Sequence, residues 1–170
     1  MRGLRGPITR KGPDRFHVRL SEAERDAVSR FVVQLRELLT LEDPSSDPAV
    51  ARLFPAAVPD DVLANLEYEQ RHGHDLLLGK LEALDLVQTT LTKDTLTEDE
   101  VLAWLASLNS IRLVVGTRLD LTEGSTEHDF ADDEQASGLF EMYRYLTWLE
   151  GWIIEALAEG LDPAGEDEST

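Results

Sequence analysis

Apolar and polar positions alternate or recur in a pattern that assigns most of the chain. Phe16, Val18 and Leu20 alternate with His17 and Arg19, the two-residue period of a half-buried strand. Ile8 stands across the turn-like Lys11-Gly12-Pro13-Asp14, so a small N-terminal β-hairpin is expected, leaning on a helical surface. Helical spacing begins at Ser21, which has capping-box spacing with Glu24, and continues through Val28, Phe31, Val32, Leu35, Leu38 and Leu39 to about Thr40. A proline-rich connector holds Asp47-Pro48, an N-cap followed by proline at the first helical position, which predicts a short helix over 48–53. A second long helix is expected from about Asp60 to Leu91, with the stripe Val62, Leu66, Gly73, Leu77, Leu84, Val87 and Leu91, and with Gly73 as a place to bend or split it. A third, 98–119, opens on the capping box Thr97/Glu100. The last runs from about Asp133 to Glu159, after a mobile-looking acidic loop at 120–134. No pattern supports strands elsewhere.

The third helix is distinctive. From Val101 to Leu119 it has no acid and is apolar or small on nearly every face, as a helix enclosed on all sides would be. Trp104, Leu108, Ile111 and Val115 lie on one line at about 100° per residue. The expected fold is therefore mostly α: a bundle of about five helices around helix 98–119, with the hairpin at its side. The expected organisation is a basic arm at 1–20, a helical domain at 21–160 and a disordered acidic tail at 161–170.

Charge adds where partners can act. The chain has 34 acids and 16 bases, a formal charge of -18. Six bases (Arg2, Arg5, Arg10, Lys11, Arg15 and Arg19) and one acid, Asp14, fall within 1–20. Taking that +5 away leaves -23 on the remainder. A body of that sign repels nucleic acid and anionic lipid, so nucleic-acid contact is confined to the N-terminal arm. There is no cysteine, which excludes disulfides, thiol chemistry and cysteine metal sites. MRGLRGPITR has no apolar leader core and no stretch is long enough to span a bilayer, so a cytoplasmic location is expected.

Candidate chemistry is sparse. No phosphate loop, nucleophile elbow, zinc-protease motif or calcium loop is present, so no catalytic residue and no cofactor is assigned. His72 and His74 are two apart and diverge on a helix, so with Asp75 they make no metal site unless the helix unwinds at Gly73. The acids around His128 (Glu127, Asp129 and Asp132) add only weak ligands. Arg112 and Arg118 are the only charges between Val101 and Leu119. A buried guanidinium needs a counter-charge. Glu150, central on the face shared by Leu139, Tyr143, Leu146, Ile153, Ile154 and Leu157, is expected to pair with Arg112, Arg118 or Lys80. Lys80, Asn109, Arg112, Arg118 and Glu150 thus form a candidate buried polar cluster, either a register-fixing ion pair or a pocket for a small ligand or metal. On the opposite face of the last helix, Tyr145, Trp148, Leu149 and Trp152 cluster; such a face is either sandwiched within the fold or a protein-partner or homodimer interface.

Two stretches resemble a known family. They are Asp47-Pro-Ala-Val-Ala-Arg-Leu-Phe-Pro55 with Gly79-Lys-Leu-Glu-Ala-Leu84, and the longer Trp104-Leu-Ala-Ser-Leu-Asn-Ser-Ile-Arg-Leu-Val-Val-Gly-Thr-Arg-Leu119. Together they are similar to the actinobacterial domain-of-unknown-function family 2017, whose Tyr/Trp-rich final helix matches Trp148 and Trp152. The resemblance implies a cytoplasmic helical protein, described within the family as a transcriptional regulator. Its genes tend to neighbour those of a Clp-protease adaptor and of cysteine biosynthesis. A thiol switch associated with the family is closed to a chain without cysteine. The expected role is a non-enzymatic regulatory or interaction module that acts on transcription indirectly, through a protein such as a sigma factor or polymerase. The alternative is a small-molecule- or metal-binding protein using the polar cluster.

Overall fold

The computed structural model describes residues 5–54 and 72–161. Strands β1 (Ile8–Gly12) and β2 (Arg15–Val18) form the expected antiparallel hairpin, with Ile8 opposite Val18 and Arg10 opposite Phe16. A third strand, β3 (Thr95–Leu96), pairs with β2 through Phe16 and Leu96, giving the order β1-β2-β3. This corrects the expectation of no further strand. Two residues are too few to show a period, and β3 exists only because β2 lies beside it. Ile8, Phe16, Val18 and Leu96 all face the core.

Five α-helices are present among the described residues. Helix α1 (Glu22–Leu39) opens on the Ser21 capping box: the Ser21 N–H donates to Glu24 Oε2 at 2.7 Å, and the Glu24 N–H donates to Ser21 Oγ at 3.2 Å. Its stripe is buried at Val28, Val32, Leu35 and Leu39. Helix α2 (Pro48–Ala51) is shorter than expected, one turn capped by Asp47 Oδ1, which accepts from the Ala49 N–H at 2.9 Å. Helix α3 (His74–Thr90) is the described part of the second long helix, and residues 72 and 73 take a π-type turn where Gly73 was expected to interrupt it. The expected start at Asp60, with Val62 and Leu66, lies outside the described residues.

Helix α4 (Glu98–Arg118) opens on the Thr97/Glu100 box. It packs against α1, α2, α3, the hairpin and α5 (Glu134–Ala158), which makes it the central helix. Trp104, Leu108, Ile111 and Val115 are all buried, at 3% exposure or less. The enclosure is not complete, however. Leu102 and Leu113 are 45% and 41% exposed, so the missing acids mark a helix with a partly open apolar side, not one buried all round. Asp120, with φ 50°, turns the chain out of α4: its N–H donates to the Thr117 carbonyl at 3.1 Å and that of Leu121 to Gly116 at 3.0 Å.

The acidic 120–134 loop is built as well. It holds a 3-10 turn (Glu127–Phe130), started by a Thr126 N–H donating to Asp129 at 2.7 Å, and Phe130 sits 5.0 Å from the Phe140 ring. No helix among the described residues is long and apolar enough to cross a membrane.

Candidate functional site

The basic N-terminal segment is a docked hairpin in its described part, not a free arm. Arg10 is built into the fold. Its guanidinium lies 4.7 Å from the Phe16 ring centroid, pairs with Glu98 at 2.7 Å and reaches the Ala156 carbonyl at 3.4 Å. Asp14, the segment's one acid, accepts from the Glu98 N–H at 2.6 Å and so adds a cap to α4. Arg5, Lys11, Arg15 and Arg19 stay exposed. Arg2 lies outside the described residues.

The hairpin also decides the fate of the aromatic face of α5. Gly6 lies flat against Trp152: a Cβ there would come 2.2 Å from Trp152 Cε3. Leu149 is wholly buried, so it is core, not surface. The Tyr145 hydroxyl donates to Glu24 Oε1 at 3.3 Å, which ties α5 to the first turn of α1. Burial, then the adjacent Glu24 carboxylate, raise the Tyr145 phenol well above its ordinary pKa. Of the four residues, Trp148 alone is largely open, 47% exposed, with the Tyr145 ring 5.7 Å away. Ile154, expected on the buried face, is 54% exposed. Beside Tyr145 a shallow groove of about 440 Å³ runs between α1 and α5, floored by Ala27, Phe31 and Met142 and edged by Arg30 and Glu141.

The polar cluster divides into three. Arg112 and Glu150 meet as expected, Nε to Oε1 at 3.3 Å, with the Glu150 side chain 7% exposed. Neither of those atoms makes an aligned hydrogen bond, so the contact is Coulombic. Asn109 accepts from Arg112 at 2.9 Å, and the Tyr143 ring lies 6.0 Å away. Burial raises the Glu150 pKa, and Arg112 only partly offsets it. Arg118 instead turns to the surface and pairs with Asp47 at 2.9 Å, where it fixes the cap of α2. Lys80 lies apart from Glu150, its Nζ 5.9 Å from the Phe54 ring. The cluster is thus not one pocket. The Arg112–Glu150 contact has the character of an ion pair that sets the register of α4 on α5.

Two polar keystones went unnoticed in the sequence. Arg25 donates to the carbonyls of Leu20 and Lys93 at 3.1 and 2.9 Å and pairs with Asp94 at 3.0 Å, holding the turn before β3. Trp104 Nε1 donates to Thr90 Oγ1 at 2.8 Å in the core, and the Thr90 hydroxyl donates in turn to the Leu86 carbonyl at 2.6 Å. Neither carries a sequence signal, because each depends on which helices become neighbours. Among the described residues no three His, Asp or Glu side chains are placed to share a metal, including those around His74 and His128.

No curated protein and no solved structure matches the chain. A family does: the match runs over residues 1–157, and it carries the description Domain of unknown function (DUF2017). With the hairpin, the central helix and all but the last residue of the aromatic final helix inside the matched span, the chain belongs to that family.

Proposed function

We propose that this protein is a non-enzymatic interaction module that engages a protein partner through the α5 surface centred on Trp148. The carrying observation is the 47% exposure of Trp148 beside the groove at Tyr145, in a helix whose other aromatic residues are held by the fold. Tryptophan, with tyrosine and arginine, is enriched among the residues that dominate binding energy at protein interfaces. The border is mixed in charge, with Arg30 and Glu141 at the groove and Arg144 one turn before Trp148, so the apolar anchor is what selects the matching surface. A body that carries a net -23 beyond its net-basic first twenty residues disfavours broad DNA contact. We therefore place any effect on transcription downstream of a protein such as a sigma factor or polymerase. The same reading assigns the chain to the actinobacterial cytoplasm.

The test uses Trp148→Ala alone, since Leu149 and Trp152 are structural and their removal would confuse binding with folding. Proteins retained from a native lysate by wild type are expected to be lost from the variant at an unchanged melting temperature. Equal retention by both would overturn the reading. The same variant in a sedimentation experiment separates a homodimer: a wild-type dimer that Trp148→Ala converts to monomer would assign the face to a second copy of the chain.

A further inference from the structure

Cations gather without partners on the outer side of the three-stranded sheet. Ile8, Phe16, Val18 and Leu96 turn to the core, so the alternate positions turn outward. Thr9, His17 and Thr95 form one row across the three strands. Arg15 lies two residues before His17 and Arg19 two after, where the Arg19 N–H continues the pairing by donating to the Pro7 carbonyl at 2.7 Å. Lys11, the extra residue where β1 bulges between Arg10 and Gly12, stands beside Arg15. Lys11, Arg15 and Arg19 are exposed and belong to none of the ion pairs among the described residues. Arg25, Arg36, Arg112, Arg118 and Arg144, by contrast, each hold a carboxylate. The acids nearest the sheet are already engaged: Asp14 caps α4, Glu98 pairs with Arg10, and Asp94 pairs with Arg25. In a chain of 34 acids and 16 bases, three unpaired cations on one face without an acid form a local positive surplus.

We infer that this face docks an extended acidic segment of a partner protein, with carboxylates at alternate positions meeting Arg15 and Arg19. Charge complementarity carries the choice of an anion, and guanidinium groups bind carboxylates bidentately. Arg15 and Arg19 are four residues apart, about 13 Å along the strand, so a peptide in the same extended form presents acids at matching intervals. Nucleic acid fits less well for two reasons. The face offers no Phe, Tyr or Trp on which bases could stack, since Phe16 is wholly buried in the core. A polynucleotide also carries its charge past the face, towards a body of net -23, whereas a short acidic segment ends where the cations end. This is a second docking surface, and it stands whether or not Trp148 holds a partner.

The probe is a fluorescein-labelled octapeptide alternating Glu and Thr, titrated with the full chain in about 20 mM sodium chloride and followed by anisotropy. A Gln/Thr octapeptide and an octathymidylate with the same label are the comparisons. Saturable binding of the Glu/Thr peptide is expected, about tenfold or more tighter than either comparison. Arg15→Gln with Arg19→Gln should weaken it by about tenfold or more at an unchanged melting temperature, because neither side chain has a partner in the fold. Arg36→Gln with Arg144→Gln removes the same net charge from the helices and should change the affinity by less than about twofold. The proposal is overturned if the Glu/Thr peptide does not saturate or binds no better than the Gln/Thr peptide. Equal weakening in the two double variants would reduce the effect to overall charge and overturn it too. Octathymidylate bound as tightly as the peptide would assign the face to nucleic acid instead.

Discussion

Glu150 shows how one side chain can help specify a fold and still oppose it at neutral pH. Its carboxyl is taken out of water among the core residues of α5, and burial outweighs the attraction of Arg112 in raising its pKa. The folded state therefore holds this proton more tightly than the unfolded chain does. The carboxyl favours folding most at low pH, and that contribution is lost as pH rises from the ordinary value of 4.5 through the raised one. In Glu150→Gln the titration is gone. Denaturant unfolding at pH 7 and pH 5 should show wild type gaining on the variant as pH falls; an unchanged or reversed difference refutes the raised pKa. Thr90 acts in the opposite sense. It is 2% exposed and accepts from the Trp104 indole N–H. Thr90→Val keeps the shape but leaves that N–H dry and unpaired, a cost of about 1–3 kcal/mol measurable by the same unfolding curves.

Between elements, the decisive contact is that of the hairpin with α5. Gly6 allows the chain to approach the Trp152 ring more closely than any side chain permits. Gly6→Ala must displace either the indole or the strand, with a cost of about 1–3 kcal/mol and an altered tryptophan emission spectrum. A fully wild-type melting curve would place the indole elsewhere. This contact also marks the limit of what the sequence discloses. The capping boxes at Ser21 and Thr97, the Asp47-Pro48 start and the Ile8/Phe16 hairpin were legible because each is local: the residues that form it lie within a few positions. The pairing of Glu150 was legible as well, since a buried acid needs a base and few were in reach. What covers the aromatic face was not legible, because it depends on a hairpin more than 130 positions away. β3 escaped for the same reason, as did the division of the polar cluster, where α2 brought Asp47 to Arg118. Periodicity tells which side of a helix is apolar; it does not tell which neighbour arrives.

Over the whole molecule the dominant quantity is the charge of -18. Self-repulsion grows with the square of the net charge, while ion pairs add one at a time. The pairs at the surface, such as Arg36–Asp85 and Arg144–Glu127, have both partners about half exposed or more and each contributes at most about 1 kcal/mol. Arg112–Glu150 has a buried carboxylate and a partly exposed guanidinium, so ions in the solvent affect it less than they affect those surface pairs. The basic hairpin on an acidic body is an attraction, and salt weakens it. It joins +5 to -23, however, whereas the acids of the body repel one another throughout. Added salt should therefore stabilise the fold on balance. Raising sodium chloride from about 20 mM to about 500 mM shortens the screening length from roughly 20 Å to about 4 Å. A gain of about 1 kcal/mol, or a rise in Tm of about 3 °C, is expected for a chain of this size. A fall in Tm would mean that hairpin docking and surface pairs outweigh the repulsion. In that case removing Arg10, which joins the hairpin to Glu98, should abolish the fall, whereas Arg36→Ala should leave it in place.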